Sequence, residues 1–381
     1  MSAQVSYKKQ IAFFLILSAL LLFAVEIGVR IIETPYEPCT FIGKDALKNV
    51  EEIKQNQICE DNNSTLYELD GILKYVPNQN METISINSHG FRGDDFSEKK
   101  DLDTYRIFIV GGSTTFGGGT TSDDTTMPSF LQKKFDVTNS DKKIEILNAG
   151  IGSAYSYSEK YLIENDLMKF QPDLIIIYSG GNDANNRYGT EYSVPGFPQY
   201  SQNKKLTKTQ LAYNIEPTDP VYLAKKFIKE INYRTPFQLL KIYQGIENQY
   251  FTPSESAKIQ AQELWTTRMG EICKANNDVG IKTVILVQPM LGSGNKQFST
   301  DEKILLENLN IKQTYMEDTL DILNKIAGSL VELENICHGT YDLRMIFDDV
   351  KEPLLFDHMH VTDLGNEIVA EEIYEILINH L

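Results

Sequence analysis

Apolar residues along this chain fall into three kinds of pattern: one long unbroken run, several short β-branched runs, and one helical stripe. The long run is Ile11 to Val25, interrupted only by Ser18, and Gly28 to Ile32 extends it past Glu26. With that extension it reaches the roughly 20 residues that a membrane-spanning helix wants. Glu26 and Arg30 are four apart, so on a helix they share a face and can pair. The short runs are Ile107–Val110, Lys143–Leu147, Asp173–Tyr178 and Ile281–Val287. The first reads as a strand buried on both faces, as in a parallel sheet covered by helices, and the others read as further strands.

Helical patterns lie between and after these strands. Pro128 opens a helix carrying Phe130, Leu131 and Phe135. Others are expected at about Tyr157–Met168, around Trp265 and Cys273, and over a long stretch from about Asp301 to Ala327. At the carboxyl end, Leu364, Ile368, Val369, Ile373, Ile376 and Leu377 form one apolar stripe. Strands alternating with helices predict a doubly wound α/β domain over residues 105–381. Residues 33–104 lack strong periodicity and read as a stalk and lead-in. Residues 184–256 break the rhythm with many aromatics, Tyr188, Tyr213 and Phe237 among them. That insertion is expected to form a lid or cleft wall, or a helical appendage packing its own rings.

Charge adds an orientation. Lys8 and Lys9 precede the apolar run and Glu33 and Glu37 follow it, which places residues 1–10 in the cytoplasm and the rest outside. Ala24-Val25-Glu26 is a poor cleavage site, so 11–32 is expected to be an uncleaved anchor and the membrane one of the partners. The net charge of −17 argues against nucleic acid, whose phosphates need a basic surface. The four cysteines fit no Cys-x-x-Cys pattern, and outside the cytosol their even number suits two disulfides. Cys39 with Cys59 and Cys273 with Cys337 is one pairing; others stay open.

Candidate chemistry gathers where the strands end. Gly111-Gly112-Ser113 follows the first strand, and the carboxyl edge of an open α/β sheet is where reacting groups collect. A phosphate loop would need Lys where Gly118 stands, and a nucleophile elbow would need Gly where Thr115 stands. What remains is a candidate serine nucleophile or a plain Gly-Ser turn. The next strand ends lead into Asn148–Ser153 and Gly180-Gly181-Asn182-Asp183, and Phe356–Asn366 precedes the last helix. A serine needs a base to take its proton, and the base needs a carboxylate to orient it. Of the five histidines, His89, His338, His358, His360 and His380, two sit beside Asp357. Backbone N–H groups at Ser113 and in the Gly150–Ser153 turn, with the Asn182 amide, could hold an oxyanion. Asp357, His358, His360 and Asp363 could instead bind a metal. One short segment rarely supplies a whole site, so no metal is expected.

These blocks, in this order, resemble the SGNH hydrolase superfamily, the GDSL-type esterases and lipases. Its first block is matched by Gly111-Gly112-Ser113-Thr114, with Gly where the namesake Asp would stand. The second resembles Asn148 to Ser153, with the family's oxyanion glycine near Gly152 or Ser153 and on Ser153 when aligned without a gap. The third, Gly-x-Asn-Asp, is met by Gly180 to Asp183, and the fifth, Asp-x-x-His, by Asp357 and His360. Asn87-Ser88-His89-Gly90-Phe91-Arg92-Gly93 resembles a lead-in of membrane-anchored members. The resemblance implies a flavodoxin-like three-layer α/β/α sandwich and cofactor-free hydrolysis or transfer of acyl esters. It implies Ser113 as nucleophile, His360 as base, Asp357 as its orienting carboxylate, and Ser113, Ser153 and Asn182 as oxyanion donors. The expected substrate is an O-acyl ester, such as O-acetyl on an envelope glycan. An O-acyltransferase with the same triad and a non-catalytic glycan-binding protein are the alternatives.

Overall fold

The computed structural model describes residues 6–32, 39, 42–138, 142–185, 206–207, 255–311 and 315–378. The aromatic insertion expected at 184–256 therefore lies almost wholly outside the described residues. The chain divides into two compact units, residues 1–38 with 215–251, and residues 39–214 with 252–381. The described part of the first is helix α1, Tyr7–Ile32, and its Tyr7–Gly28 segment is long and apolar enough to cross a membrane.

In the second unit a 3-10 turn, Asp45–Leu47, comes before helix α2 (Glu52–Ser64) and four short strands. These are β1 (Leu66–Asp70), β2 (Ile72–Tyr75), β3 (Gln79–Asn80) and β4 (Ser85–Ile86). Then come β5 (Thr104–Gly111), α3 (Ser113–Phe116), α4 (Met127–Asp136), β6 (Lys143–Gly150), α5 (Ser156–Leu162), β7 (Leu174–Ser179) and α6 (Gly181–Asn185). Strand β8 (Leu206–Thr207) pairs with β1. The remainder is α7 (Glu255–Asp278), β9 (Lys282–Val287), α8 (Thr300–Ile311), α9 (Tyr315–Gly328), β10 (Gly339–Asp342) and α10 (Asp363–Leu377).

Five strands form one parallel sheet in the order β10-β9-β7-β5-β6. Numbered along the chain this is 2-1-3-4-5, the flavodoxin-like order, whose switch point lies between β5 and β7. The run Ile107–Val110, read as a doubly buried strand, is buried on both sides, as are its neighbours in β7 and β9. Phe108, Val110, Ile175, Ile177, Ile285 and Val287 face one core, while Ile107, Ile109, Leu174, Ile176, Val284 and Leu286 face the other. The period of two along each strand sorts one apolar run into two cores. Trp265 and Met269 of α7 and Ile322 and Ile326 of α9 cover the first; Leu131 of α4 and Val369 and Ile373 of α10 cover the second. The result is the three-layer α/β/α sandwich.

Local differences from expectation have tertiary causes. Residues 42–104 are not a free stalk: Tyr67, Ile72, Tyr75, Ile84, Ile86 and Phe91 pack into the first core. Their apolar positions are spaced for short hairpins, which carry little periodicity. The helix expected at Tyr157–Met168 stops as α5 at Leu162 and continues through a π-turn, Ile163–Leu167. The edge strand β10 was not expected, since Gly-Thr-Tyr-Asp has no apolar run. Disulfides join Cys39 to Cys59 and Cys273 to Cys337, spanning 20 and 64 residues. Closing such loops stabilises by about 3 and about 4 kcal/mol in the chain-entropy model.

Candidate active site

Register sets the geometry of the edge. Gly111 of β5 is level with Gly150 of β6 on one side and Tyr178 of β7 on the other. The segments after all three strands, Gly112-Ser113, Ile151–Ser153 and Gly180–Asn182, therefore leave the sheet together at the switch point. Ser113 is the first residue of the one-turn helix α3. Two glycines let this turn pack tightly. A Cβ at Gly150 would lie 2.2 Å from the Phe116 nitrogen, and one at Gly112 would lie 2.5 Å from Asn182 Nδ2.

The segment before α10 brings the third group. His360 Nε2 is 2.7 Å from Ser113 Oγ, and His360 Nδ1 is 2.6 Å from Asp357 Oδ2. Asp357 Oδ1 accepts the backbone N–H groups of Met359 (2.8 Å) and His360 (2.7 Å). Burial by itself would push the Asp357 carboxyl up, but the charge and hydrogen bonds of His360 outweigh it and hold the pKa well below the usual carboxylate range. An ionised Asp357 accepts a hydrogen bond from Nδ1–H, so the hydrogen-bond network assigns Nε2 as the acceptor facing the serine hydroxyl. Phe356 stacks on the imidazole with ring centroids 5.9 Å apart and planes within 6°. The His358 carbonyl accepts the Leu291 N–H at 2.9 Å, and burial lowers its imidazole pKa. Asp363, of the alternative metal set, accepts from the backbone and hydroxyl of Thr121 at 3.1 and 2.5 Å. His89 is tied to the Phe96 carbonyl at 2.9 Å and packs against Phe96 and Phe170.

The candidate donors lie in the segments that leave the sheet at this edge. The Ser113 N–H begins a helix and so has no partner within it. The Gly152 N–H is taken by the Tyr75 hydroxyl at 2.9 Å, whereas no protein hydrogen bond engages the Ser153 N–H among the described residues. Ser153 has φ +64°, the left-handed region where glycine is at ease, which accounts for the glycine of the resembling family at this place. Asn182 Nδ2 donates one hydrogen to the Ala154 carbonyl at 2.6 Å, which orients the amide beside Gly112.

Several supporting residues carry no motif. Glu302, in the first turn of α8, accepts from the backbones of Leu354 (3.1 Å) and Leu355 (3.2 Å) and from Lys296 Nζ at 3.0 Å. It thereby holds the strand of chain that runs into Asp357. Asp183, next to Asn182, accepts the Ser156 N–H at 3.0 Å and also the Ser156 hydroxyl. Arg268 reaches the same hydroxyl at 3.0 Å. Burial raises the Asp183 carboxyl, and burial together with the charge of Asp183 raises that of Glu159. A sequence signal exists only for Asp183, within Gly-x-Asn-Asp; Glu302 and Lys296 read as ordinary charges of a helix start. Chemically, a hydroxyl, a base with its orienting carboxylate, and N–H donors at the same sheet edge are the parts that acyl transfer from an ester requires.

Residues 107–373 match the family described as GDSL-like Lipase/Acylhydrolase. The chain belongs to that family and is an SGNH-type ester hydrolase. Among solved structures it is similar to LAE5, an alpha/beta hydrolase enzyme from the metagenome of Lake Arreo, Spain. That likeness has 11% identity, covers 71% of this chain and 94% of the other, and gives a TM-score of 0.37. It is also similar to BT4096, a gut microbial diltiazem-metabolizing enzyme, at 13% identity, 73% and 47% coverage, and a TM-score of 0.42. A third is CEX, a two-domain esterase active on acetylated mannans, at 13% identity, 72% and 49% coverage, and a TM-score of 0.37. No curated protein matches the chain by sequence.

Proposed function

We propose that this hydrolase cleaves an O-acyl ester through Ser113, His360 and Asp357, with Ser113, Ser153 and Asn182 holding the oxyanion. The observation that carries the reading is the continuous line of hydrogen bonds from Asp357 through His360 to Ser113. Ser113 Oγ attacks the ester carbonyl as His360 Nε2 takes its proton. The Ser113 and Ser153 N–H groups and the second hydrogen of the Asn182 amide stabilise the negative oxygen. Collapse expels the alcohol, which receives the proton from His360. Water then attacks the acyl-serine with His360 again as base, releasing the acid and the free serine.

The substrate we propose is an acyl group, such as acetyl, on an extracytoplasmic envelope glycan. Residues 11–32 would anchor the chain with residues 1–10 in the cytoplasm, since Lys8 and Lys9 precede the apolar helix. Residues 33–104 would then be the stalk and lead-in before the enzyme domain at 105–381, the lead-in packing into that domain's first core. Two disulfides favour the same side of the membrane. The test is a serine-directed fluorophosphonate applied to the purified full-length chain, with the modified peptide mapped. Modification at Ser113 that is lost in Ser113→Ala supports the mechanism; an unmodified wild type rejects it. Protease added to intact cells should digest the chain beyond about residue 40, and complete protection would reject the orientation.

A further inference from the structure

The guanidinium of Arg92 is buried, with 1% of its side chain exposed. Each of its nitrogens is engaged. Nη1 donates to the carbonyls of Phe116 (3.1 Å) and Gly117 (2.7 Å), Nη2 to Thr83 O at 2.7 Å, and Nε to Asp123 Oδ1 at 2.7 Å. Phe116 ends α3, and Gly117 is its left-handed C-cap with φ +87°. Their carbonyls are among those a helix leaves without an internal partner. The guanidinium also lies over the Phe116 ring, 4.9 Å from its centroid. Asp123 in turn accepts the Ser85 N–H at 2.9 Å. Because α3 is a single turn, fixing its last carbonyls fixes its first residue, and that residue is Ser113. All three anchoring residues before β5, Thr83, Ser85 and Arg92, lie upstream of the family-matched residues 107–373.

We propose that Arg92 is a positioning residue for Ser113: from the lead-in segment it clamps the far end of α3 and so sets the distance between the serine hydroxyl and His360. The proposal rests on Ser113 being the nucleophile. A strut that merely supports the fold would behave differently. Its loss would lower the number of folded molecules, each reacting normally; loss of a positioning residue leaves folded molecules that react slowly.

The experiment follows fluorophosphonate labelling of the full-length chain in detergent over time. The end point counts competent sites, and the rate constant reports reactivity per site. Wild type, Ser113→Ala, Arg92→Ala, Arg92→Lys and Asp123→Asn are compared. A misplacement of about 1 Å can cost about 100-fold in rate, so Arg92→Ala should lose on that order, with Arg92→Lys and Asp123→Asn losing less but clearly measurable amounts. Guanidinium ion at sub-denaturing concentration should recover part of the Arg92→Ala rate and do nothing for Ser113→Ala. Wild-type rate constants in Arg92→Lys and Asp123→Asn, whatever their end points, would overturn the proposal. Should both Arg92 variants fail to fold, Asp123→Asn decides by the same criterion, because it keeps all the carbonyl contacts. A wild type that does not label would remove the hydrolytic mechanism itself, a distinguishable outcome.

Discussion

Asp357 and His360 lie three residues apart and meet inside one turn, whereas Ser113, Ser153 and Asn182 come from the ends of three different strands. The first region is local. Its carboxylate is satisfied by the N–H groups of Met359 and His360, two and three residues further on, and Glu302 holds the chain that leads into it. The second region exists only because Gly111, Gly150 and Tyr178 share a register and glycines allow three loops to touch. A local unit tolerates small movements of the domain because its parts move together. An assembled unit transmits them, so its support should matter as much as its donors.

The sharpest way to break this contrast is to remove one member of the proposed acid–base unit. His360→Ala and Ser113→Ala should each lower kcat for a p-nitrophenyl ester by several orders of magnitude, and the double variant should be scarcely worse than either. Asp357→Asn should fall between these and wild type, and His358→Ala should keep substantial activity. Equal loss at His358 with little at His360 would reassign the base.

On the assembled side, Asn182→Ala should cost about 10²–10³ in kcat with little change in KM, the range for one oxyanion donor. A loss confined to KM would mean that the amide binds substrate without stabilising the oxyanion.

Support for the local unit can be tested by stability. Glu302→Gln leaves Lys296 buried, 4% exposed, without its charge partner. Breaking a buried pair costs about 3–5 kcal/mol, which calorimetry would read as a fall in Tm. The same carboxylate predicts an acid limb. Burial works against the charged form of Glu302, but the N–H groups of Ser299, Leu354 and Leu355 and the Lys296 ammonium outweigh it and lower its pKa, as happens at Asp357. Both groups therefore contribute stability in full above the ordinary carboxylate range and lose it as pH falls through their lower folded values. Tm should decline below about pH 4, and Glu302→Gln should make that decline shallower. An unchanged slope would show that other carboxylates dominate.

The smallest effect is expected at Ser153. Its left-handed conformation costs a non-glycine residue about 1–2 kcal/mol, and the greater freedom of glycine in the unfolded chain offsets about 0.4–1 kcal/mol of any relief. Ser153→Gly should therefore raise Tm slightly and leave kcat near wild type, because a backbone N–H does not depend on the side chain. A large loss of activity would assign a role to the hydroxyl.

Much of this protein was legible along the chain itself. Runs such as Ile107–Val110 and Leu174–Tyr178 are apolar on both faces of a strand, and only a sheet covered on both sides buries both faces, so a parallel sandwich follows from local composition. Ser113, Asn182, Asp357 and His360 stand in short motifs at strand ends or before the last helix, and it is the order of those motifs, through the family resemblance, that marks them as candidates. Tertiary structure alone decided the rest. The hairpins of residues 66–93 bury Tyr75 and Phe91 against a sheet that begins later in the chain, and no window of sequence contains both partners. The Tyr75 hydroxyl occupies the Gly152 N–H across 77 residues, and Glu302 reaches Leu354 across 52. Arg92 meets the carbonyls of α3 across 24 and 25. A charge or hydroxyl reads as a surface residue until the fold buries it, because burial and partner are properties of the assembled chain rather than of the residue.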